Sequence, residues 1–132
     1  MRILALDYGT ARVGCAVSDP TGTLARPIEV IEPPEPERVA RLAADLGAER
    51  IVVGLPVNMN GSEGGQAALT RDFCEELRSL VEIPVETFDE RLTTRMAEAS
   101  RRRGAAAPED SLAAGHLLES YLLAEGAGTD EP

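Results

Sequence analysis

Residues 3–10 read Ile3-Leu4-Ala5-Leu6-Asp7-Tyr8-Gly9-Thr10, and this stretch decides the fold. Four apolar residues in succession predict a strand buried on both faces, as at the centre of a sheet. The strand carries one carboxylate, Asp7, to its end, and Gly9 permits close backbone approach by a ligand. Burying an unpaired carboxylate costs several kcal/mol, so Asp7 needs a cation, a donor or a metal unless the strand end is exposed. The alternative is that Asp7 only opens a turn, which is common for Asp before Gly.

The strands near this stretch predict a mixed sheet. Val13–Ser18 reads as a second strand that pairs antiparallel with the first, and residues 24–31 continue the meander. Pro27 places that third strand at an edge, because proline has no backbone N–H to donate to the hydrogen bonds that a central strand makes on both sides. A helix with apolar positions at helical spacing follows and stops at Gly47.

The second half of the chain predicts two strands parallel to the first. Residues 51–57 form an apolar strand after a helix, which favours a right-handed parallel crossover. A helix over residues 66–80, a last strand over 84–91, a helix ending at Arg103 and a final helix from Glu109 complete the α/β domain. We therefore predict a five-stranded mixed sheet, a three-strand antiparallel meander followed by two parallel strands, flanked by helices.

Length and composition favour one domain. With 132 residues, the chain can bury about two-thirds of its unfolded surface and needs no disulfide or structural metal for stability. We predict a single domain over residues 1–125 and a disordered tail over 126–132, which lacks apolar content.

Cys15 and Cys74 are too far apart for a redox or zinc motif. No apolar stretch approaches a membrane span, so we expect a cytoplasmic protein with no membrane partner.

The charge balance argues against a protein that simply coats nucleic acid. The net charge is −10, whereas counterion release requires a basic surface. A metal-dependent enzyme with a local basic patch remains compatible with this balance.

The loop after the fourth strand is rich in polar residues and glycine. Residues 58–65 include Asn58, Asn60, Ser62 and Glu63. Loops at the carboxyl ends of parallel strands bind ligands in open α/β sheets. The alternative is a flexible connection in which Ser62 or Glu63 caps the next helix.

Three acidic positions carry the predicted chemistry. Asp7 follows the first strand, Asp89 and Glu90 end the last strand, and Asp110 opens the final helix. Carboxylates that converge raise one another's pKa unless a divalent cation neutralises them, and oxygen ligands suit Mg²⁺ or Mn²⁺. Two such ions could activate water and stabilise the leaving oxygen in phosphodiester cleavage. Asp110 could instead only stabilise the helix dipole.

These residues carry a resemblance that covers nearly the whole chain. The segments 6–14, 52–64, 89–94 and 110–114 resemble the YqgF/RuvX family, whose members are similar to Holliday junction resolvases of the RNase H-like superfamily. The resemblance implies a nuclease that matures the 5′ end of the small-subunit ribosomal RNA precursor, with ribosomal particles as possible partners. It also implies that Asp7, Glu90 and Asp110 are the catalytic, metal-binding carboxylates. Between Asp89 and Glu90, which alternate in direction along a strand, we favour Glu90.

Basic and amide side chains are the candidates for nucleic-acid contact. Arginines that stand out in an acidic chain favour phosphate binding over a solvated helix face. Arg12 could hold either a scissile phosphate or Asp7. The candidates are Arg12, Asn58, Asn60, Arg91, Arg95, Arg101, Arg102 and Arg103.

Three classes of function follow. The first is a metal-dependent nuclease on structured nucleic acid, with an RNA precursor preferred over a DNA junction by the resemblance. The second is a non-catalytic RNA-binding or ribosome-assembly protein, and the third is an ATP-binding module of the actin-like type. Actin-like ATPases close a cleft between two such domains, and this chain has the length for one. The oligomeric state, monomer or homodimer, is left open.

Overall fold

The computed structural model describes residues 1–93 and 109–129, with side chains described for residues 1–91 and 112–125. The strands are β1 (Ile3–Tyr8), β2 (Val13–Ser18), β3 (Ala25–Ile31), β4 (Arg50–Leu55) and β5 (Val85–Asp89). The helices are α1 (Pro36–Leu46), α2 (Gly65–Arg78) and α3 (Glu109–Thr129), and a short 3₁₀ helix (Glu90–Thr93) follows β5 directly.

The strands form one five-stranded sheet in the order β3-β2-β1-β4-β5. The pairs β1–β2 and β2–β3 are antiparallel, whereas β1–β4 and β4–β5 are parallel. This confirms the predicted mixed sheet with β1 at its centre. It also confirms the edge position of the strand that contains Pro27.

Helices cover both faces of the sheet, so β1 is buried on both sides. Leu4 and Leu6 pack with residues of α1 and α2 on one face, whereas Ile3 and Ala5 pack with α3 on the other. Because side chains alternate along a strand, Asp7 belongs to the α3 face. Gly54 of β4 belongs to the same face, since Val53 lies in the α1 and α2 cluster.

Tyr121 fixes the direction in which α3 crosses the sheet. Its hydroxyl accepts a hydrogen bond from Arg50, the first residue of β4, and donates one to Glu86 near the start of β5. Gly115, which precedes Tyr121 in α3, approaches Pro27 of the edge strand β3. The start of α3 therefore points toward the carboxyl ends of the parallel strands, and α3 also contacts the 3₁₀ helix there.

The element boundaries differ from the predictions at several ends. The fourth strand stops at Leu55, just before Pro56, and β5 stops at Asp89, so Glu90 is no longer in the strand. The final helix continues to Thr129, four residues into the segment predicted to be disordered, because Ala124, Glu125 and Ala127 favour helix despite the intervening glycines. The helix predicted to end at Arg103 lies outside the described residues, as do residues 130–132.

No helix in the described part of the chain combines the length and apolar character needed to cross a membrane.

Candidate active site

Two carboxyl groups meet where the parallel strands end. Asp7 is the fifth residue of β1, and Glu90 is the first residue of the 3₁₀ helix after β5. Their side chains are hydrogen-bonded to each other. Both residues are half-buried. The structure thus brings together two of the three acidic positions that the sequence singled out.

The end of β5 determines which acid reaches Asp7. Asp89 is the last strand residue, and its carboxylate turns to Arg91, which donates from Nε and Nη2 to Oδ2 at 2.9 and 2.7 Å. The hydrogen bond from Arg91 lowers the pKa of Asp89, so this carboxylate stays ionised and bound to Arg91. Glu90 is the acid that contacts Asp7, and its role as a metal ligand, favoured over Asp89 from the sequence, stays a prediction.

Burial raises the pKa of Glu90 above its usual range. The hydrogen bond with Asp7 opposes this rise, and the nearby charge of Asp89 adds to it. A carboxyl group held in this way is costly to ionise without a cation. The two carboxyl groups supply oxygen ligands, and a positive charge beside them would offset the cost of ionising both. These properties suit a hard divalent cation such as Mg²⁺ or Mn²⁺.

The loop between β4 and α2 is internally bonded. Ser62 Oγ donates to Asn60 Oδ1 at 2.6 Å, and Asn58 Nδ2 donates to Ser62 Oγ at 3.0 Å. Gly61 adopts a left-handed conformation with φ of 89° and donates its amide to the Asn58 carbonyl. The predicted alternative, a flexible connection with a Ser62 or Glu63 cap, is wrong in its capping part, because α2 begins after Gly64 without a side-chain cap.

Arg91 connects this loop to the end of β5. Its Nη1 donates to the carbonyls of Asn58 and Met59 at 3.3 and 3.4 Å, while its other nitrogens bind Asp89. Asn58, Asn60 and Arg91 were predicted to contact nucleic acid. In the structure, each makes hydrogen bonds that shape the loop next to the carboxyl pair, and a role in nucleic-acid contact stays a prediction.

Arg12 lies at the other side of Asp7. Its Nε donates to Glu32 at 3.2 Å, and both side chains are largely exposed. Residues 7–12 line a depression of about 250 Å³, so Asp7 and Arg12 border the same space. The sequence left open whether Arg12 holds a phosphate or Asp7, and neither role is tested.

The remaining predicted site residues lie beyond the described side chains. Asp110 is in the first turn of α3, and the direction of α3 places that turn at the carboxyl ends of the strands. Arg95, Arg101, Arg102 and Arg103 lie outside the described residues. Among the described side chains, no three acidic, His or Cys groups converge on one point, so the described site consists of the Asp7–Glu90 pair.

The sequence analysis did not identify Gly54, a residue of β4 that lies beneath the Glu90 side chain. A hypothetical Cβ at this position would lie 2.8 Å from Oε1 of Glu90. A glycine inside a continuous apolar strand is a signal of close approach by another group, and this signal was available in Val52-Val53-Gly54-Leu55.

A protein-family model matches most of the chain. The family model described as "RuvX: Holliday junction resolvase" matches residues 1–124. A relative from Chloroflexus aggregans is 42% identical over 130 residues, covering 91% of this chain and 92% of the relative. A relative from Pelotomaculum thermopropionicum is 41% identical over 140 residues, covering 96% and 89%. Both carry the name "Putative pre-16S rRNA nuclease".

Solved structures show the same fold at low sequence identity. The RuvC of T. thermophilus in complex with a Holliday junction substrate matches with a TM-score of 0.69 and 17% identity, covering 98% of this chain and 97% of RuvC. The fowlpox virus Holliday junction resolvase matches with a TM-score of 0.56 and 14% identity, covering 94% and 99%. These matches confirm the predicted RNase H-like fold.

Proposed function

The chain belongs to the RuvX family of Holliday junction resolvases, and on that premise we propose that it is a divalent-metal-dependent nuclease. The substrate is structured nucleic acid, with a small-subunit ribosomal RNA precursor as the natural target and its 5′ end as the place of cleavage. The names of the relatives support the RNA precursor. The family description supports a DNA junction as the second candidate.

The observation that carries the proposal is the contact between Asp7 and Glu90. Two acids from distant parts of the chain are held together, half-buried, at the carboxyl ends of parallel strands. A purely structural core would not gain from this arrangement, because like charges and desolvation both oppose ionisation. A divalent cation held by both carboxylates would account for such a contact.

Each residue has a proposed role at this centre. Asp7 and Glu90 hold the metal through carboxylate oxygens, and Asp110, at the start of α3, supplies a third carboxylate. A bound divalent cation would activate water and stabilise the leaving oxygen of the phosphodiester. In this proposal, Arg91 positions the loop of residues 58–62 beside the metal ligands, and Arg12 holds a phosphate of the substrate.

Cleavage assays under different metals test the proposal. We expect the protein to cut a fragment that spans the precursor 5′ end in Mg²⁺ or Mn²⁺, and to cut a four-way DNA junction more slowly. Cleavage should stop in chelator and in Ca²⁺, because Ca²⁺ prefers more ligands at longer distances. An Asp7→Asn protein purified in parallel controls for contaminating nucleases.

The outcomes separate the candidate functions. Cleavage undiminished by chelator contradicts the metal mechanism. Faster cleavage of the DNA junction assigns the chain to junction resolution. Tight binding to the RNA without cleavage under any metal assigns it to the non-catalytic class.

The salt dependence of binding tests the proposed arginine patch. If Arg101 and Arg102 contact phosphates, replacing both by Ala should weaken binding similarly for different sequences. The log–log salt slope should fall by roughly 1 to 2, at about 0.9 per duplex phosphate or 0.7 per single-strand phosphate. The matched control is Arg38→Ala with Arg41→Ala on α1, which removes the same charge from the sheet face that lies away from Asp7. An equal salt slope for both double variants would contradict phosphate contact and favour the alternative, in which Arg101 and Arg102 belong to a solvated helix face.

A further inference from the structure

Glu90 must cross a neighbouring strand to reach Asp7. Asp7 is on β1, Glu90 follows β5, and β4 lies between them. Adjacent strands are about 4.8 Å apart, so β1 and β5 are separated by roughly 10 Å. The Glu90 carboxyl can meet Asp7 only by lying over β4.

Gly54 is the residue of β4 beneath this crossing. It is buried and pairs with Phe88 of β5, two residues before Glu90. A Cβ built on Gly54 would lie 2.8 Å from Oε1, 3.0 Å from Cγ and 3.3 Å from Cδ of Glu90. Carbon atoms of two side chains do not pack this closely, so the Glu90 side chain fills the space that any other residue at position 54 would need.

We propose that Gly54 is a positioning residue of the nuclease site: the missing side chain is what allows Glu90 to lie across β4 and place its carboxylate beside Asp7. This inference rests on the proposed metal-dependent function. Gly54 touches neither metal nor substrate in this proposal, and it acts through Glu90 alone.

The physical cost of filling this space falls on Glu90 rather than on the fold. The closest atom to the hypothetical Cβ is the end of a flexible side chain, which can turn away toward solvent. Gly54→Ala should therefore fold normally and lose the Asp7–Glu90 contact. Variants that displace the support of a metal ligand typically lose 10- to 100-fold in metal affinity or activity.

The main experiment measures Mn²⁺ affinity by calorimetry and cleavage by steady-state kinetics for Gly54→Ala. We expect the Mn²⁺ Kd to rise by roughly 10- to 100-fold and kcat to fall by a similar factor. The KM for nucleic acid should change less than about twofold, because Gly54 makes no contact with the substrate and its replacement leaves substrate binding unchanged. Unchanged Mn²⁺ affinity and kcat in a folded Gly54→Ala protein would overturn the proposal.

Two controls separate positioning from general damage. Gly65→Ala tests glycine replacement at a position with open space around it, and it should leave Mn²⁺ affinity unchanged. Val53→Ala removes a buried side chain from the opposite face of the same strand, so it should lower the melting midpoint and leave Mn²⁺ affinity unchanged. A loss of affinity in Val53→Ala equal to that in Gly54→Ala would assign the effect to destabilisation.

The Glu90→Ala background tests whether Gly54 acts through Glu90. Without the Glu90 carboxylate, adding Gly54→Ala should cause no further loss of Mn²⁺ affinity or kcat. A further loss of the full 10-fold or more in this background would contradict the proposed route.

A crystal structure of metal-free Gly54→Ala tests the geometry independently of the proposed function. The Glu90 carboxyl should be displaced from Asp7, and a retained contact would overturn the inference. If the parent neither binds Mn²⁺ nor cleaves, the proposed function fails, while this structure still decides whether Gly54 positions Glu90.

Discussion

Replacing Asp7 by Asn is expected to lower the cleavage rate by roughly 10³-fold or more without lowering the stability of the metal-free protein. In the proposed metal-dependent mechanism, the cation would supply several kcal/mol of transition-state stabilisation, and each 1.4 kcal/mol corresponds to about a factor of ten. Asn keeps the shape of the side chain and can donate an N–H to the Glu90 carboxylate. The substitution thus removes repulsion and keeps the contact.

Thermal melts and cleavage assays of the same preparations check this prediction. The matched control is Asp45→Asn, an exposed acid on α1 at the opposite face of the sheet, which changes the net charge equally. The control should keep full activity. The alternative from the sequence is that Asp7 is a turn residue with a hydrogen-bonded carboxylate. In that case Asp7→Asn should destabilise the metal-free protein by about 1 to 3 kcal/mol.

The sheet could be predicted from the sequence because its signals are local. Continuous apolar runs marked β1 and β4, and Pro27 marked the edge strand. The rule that two strands joined through a helix form a parallel crossover then predicted that β4 runs parallel to β1. Boundaries were less accurate, since the end of a strand depends on pairing with its neighbour. The end of β5 at Asp89 is one example.

The candidate site was predictable only in part. The sequence identified Asp7 and favoured Glu90, but it could not show their contact, which depends on the register of β1, β4 and β5. Arg91 was predicted as a phosphate ligand because its charge stands out in an acidic chain. The structure shows that Asp89, two residues away, and the carbonyls of the 58–62 loop already bind it. Charge patterns alone do not reveal which partner an arginine finds in the fold.

Mn²⁺ should stabilise the parent protein and leave the carboxylate variants almost unchanged. A ligand that binds only the folded state at about 100 times its dissociation constant adds roughly 2.7 kcal/mol to the free energy of unfolding. For a domain of this size, that raises the melting midpoint by several degrees. Asp7→Asn and Glu90→Gln should each lose most of this gain, because each removes a charged ligand.

The same titration tests Asp110, whose side chain the structure does not describe. If Asp110 is the third ligand, Asp110→Asn should lose the Mn²⁺ response as Asp7→Asn does. If it only stabilises the start of α3, the variant should lower the metal-free midpoint slightly and retain the response, since a helix-dipole charge contributes about 0.3 to 1 kcal/mol. Asp45→Asn is again the control and should respond as the parent does. An Asp7→Asn protein that melts lower than the parent and still gains the full Mn²⁺ stabilisation would remove Asp7 from the metal site.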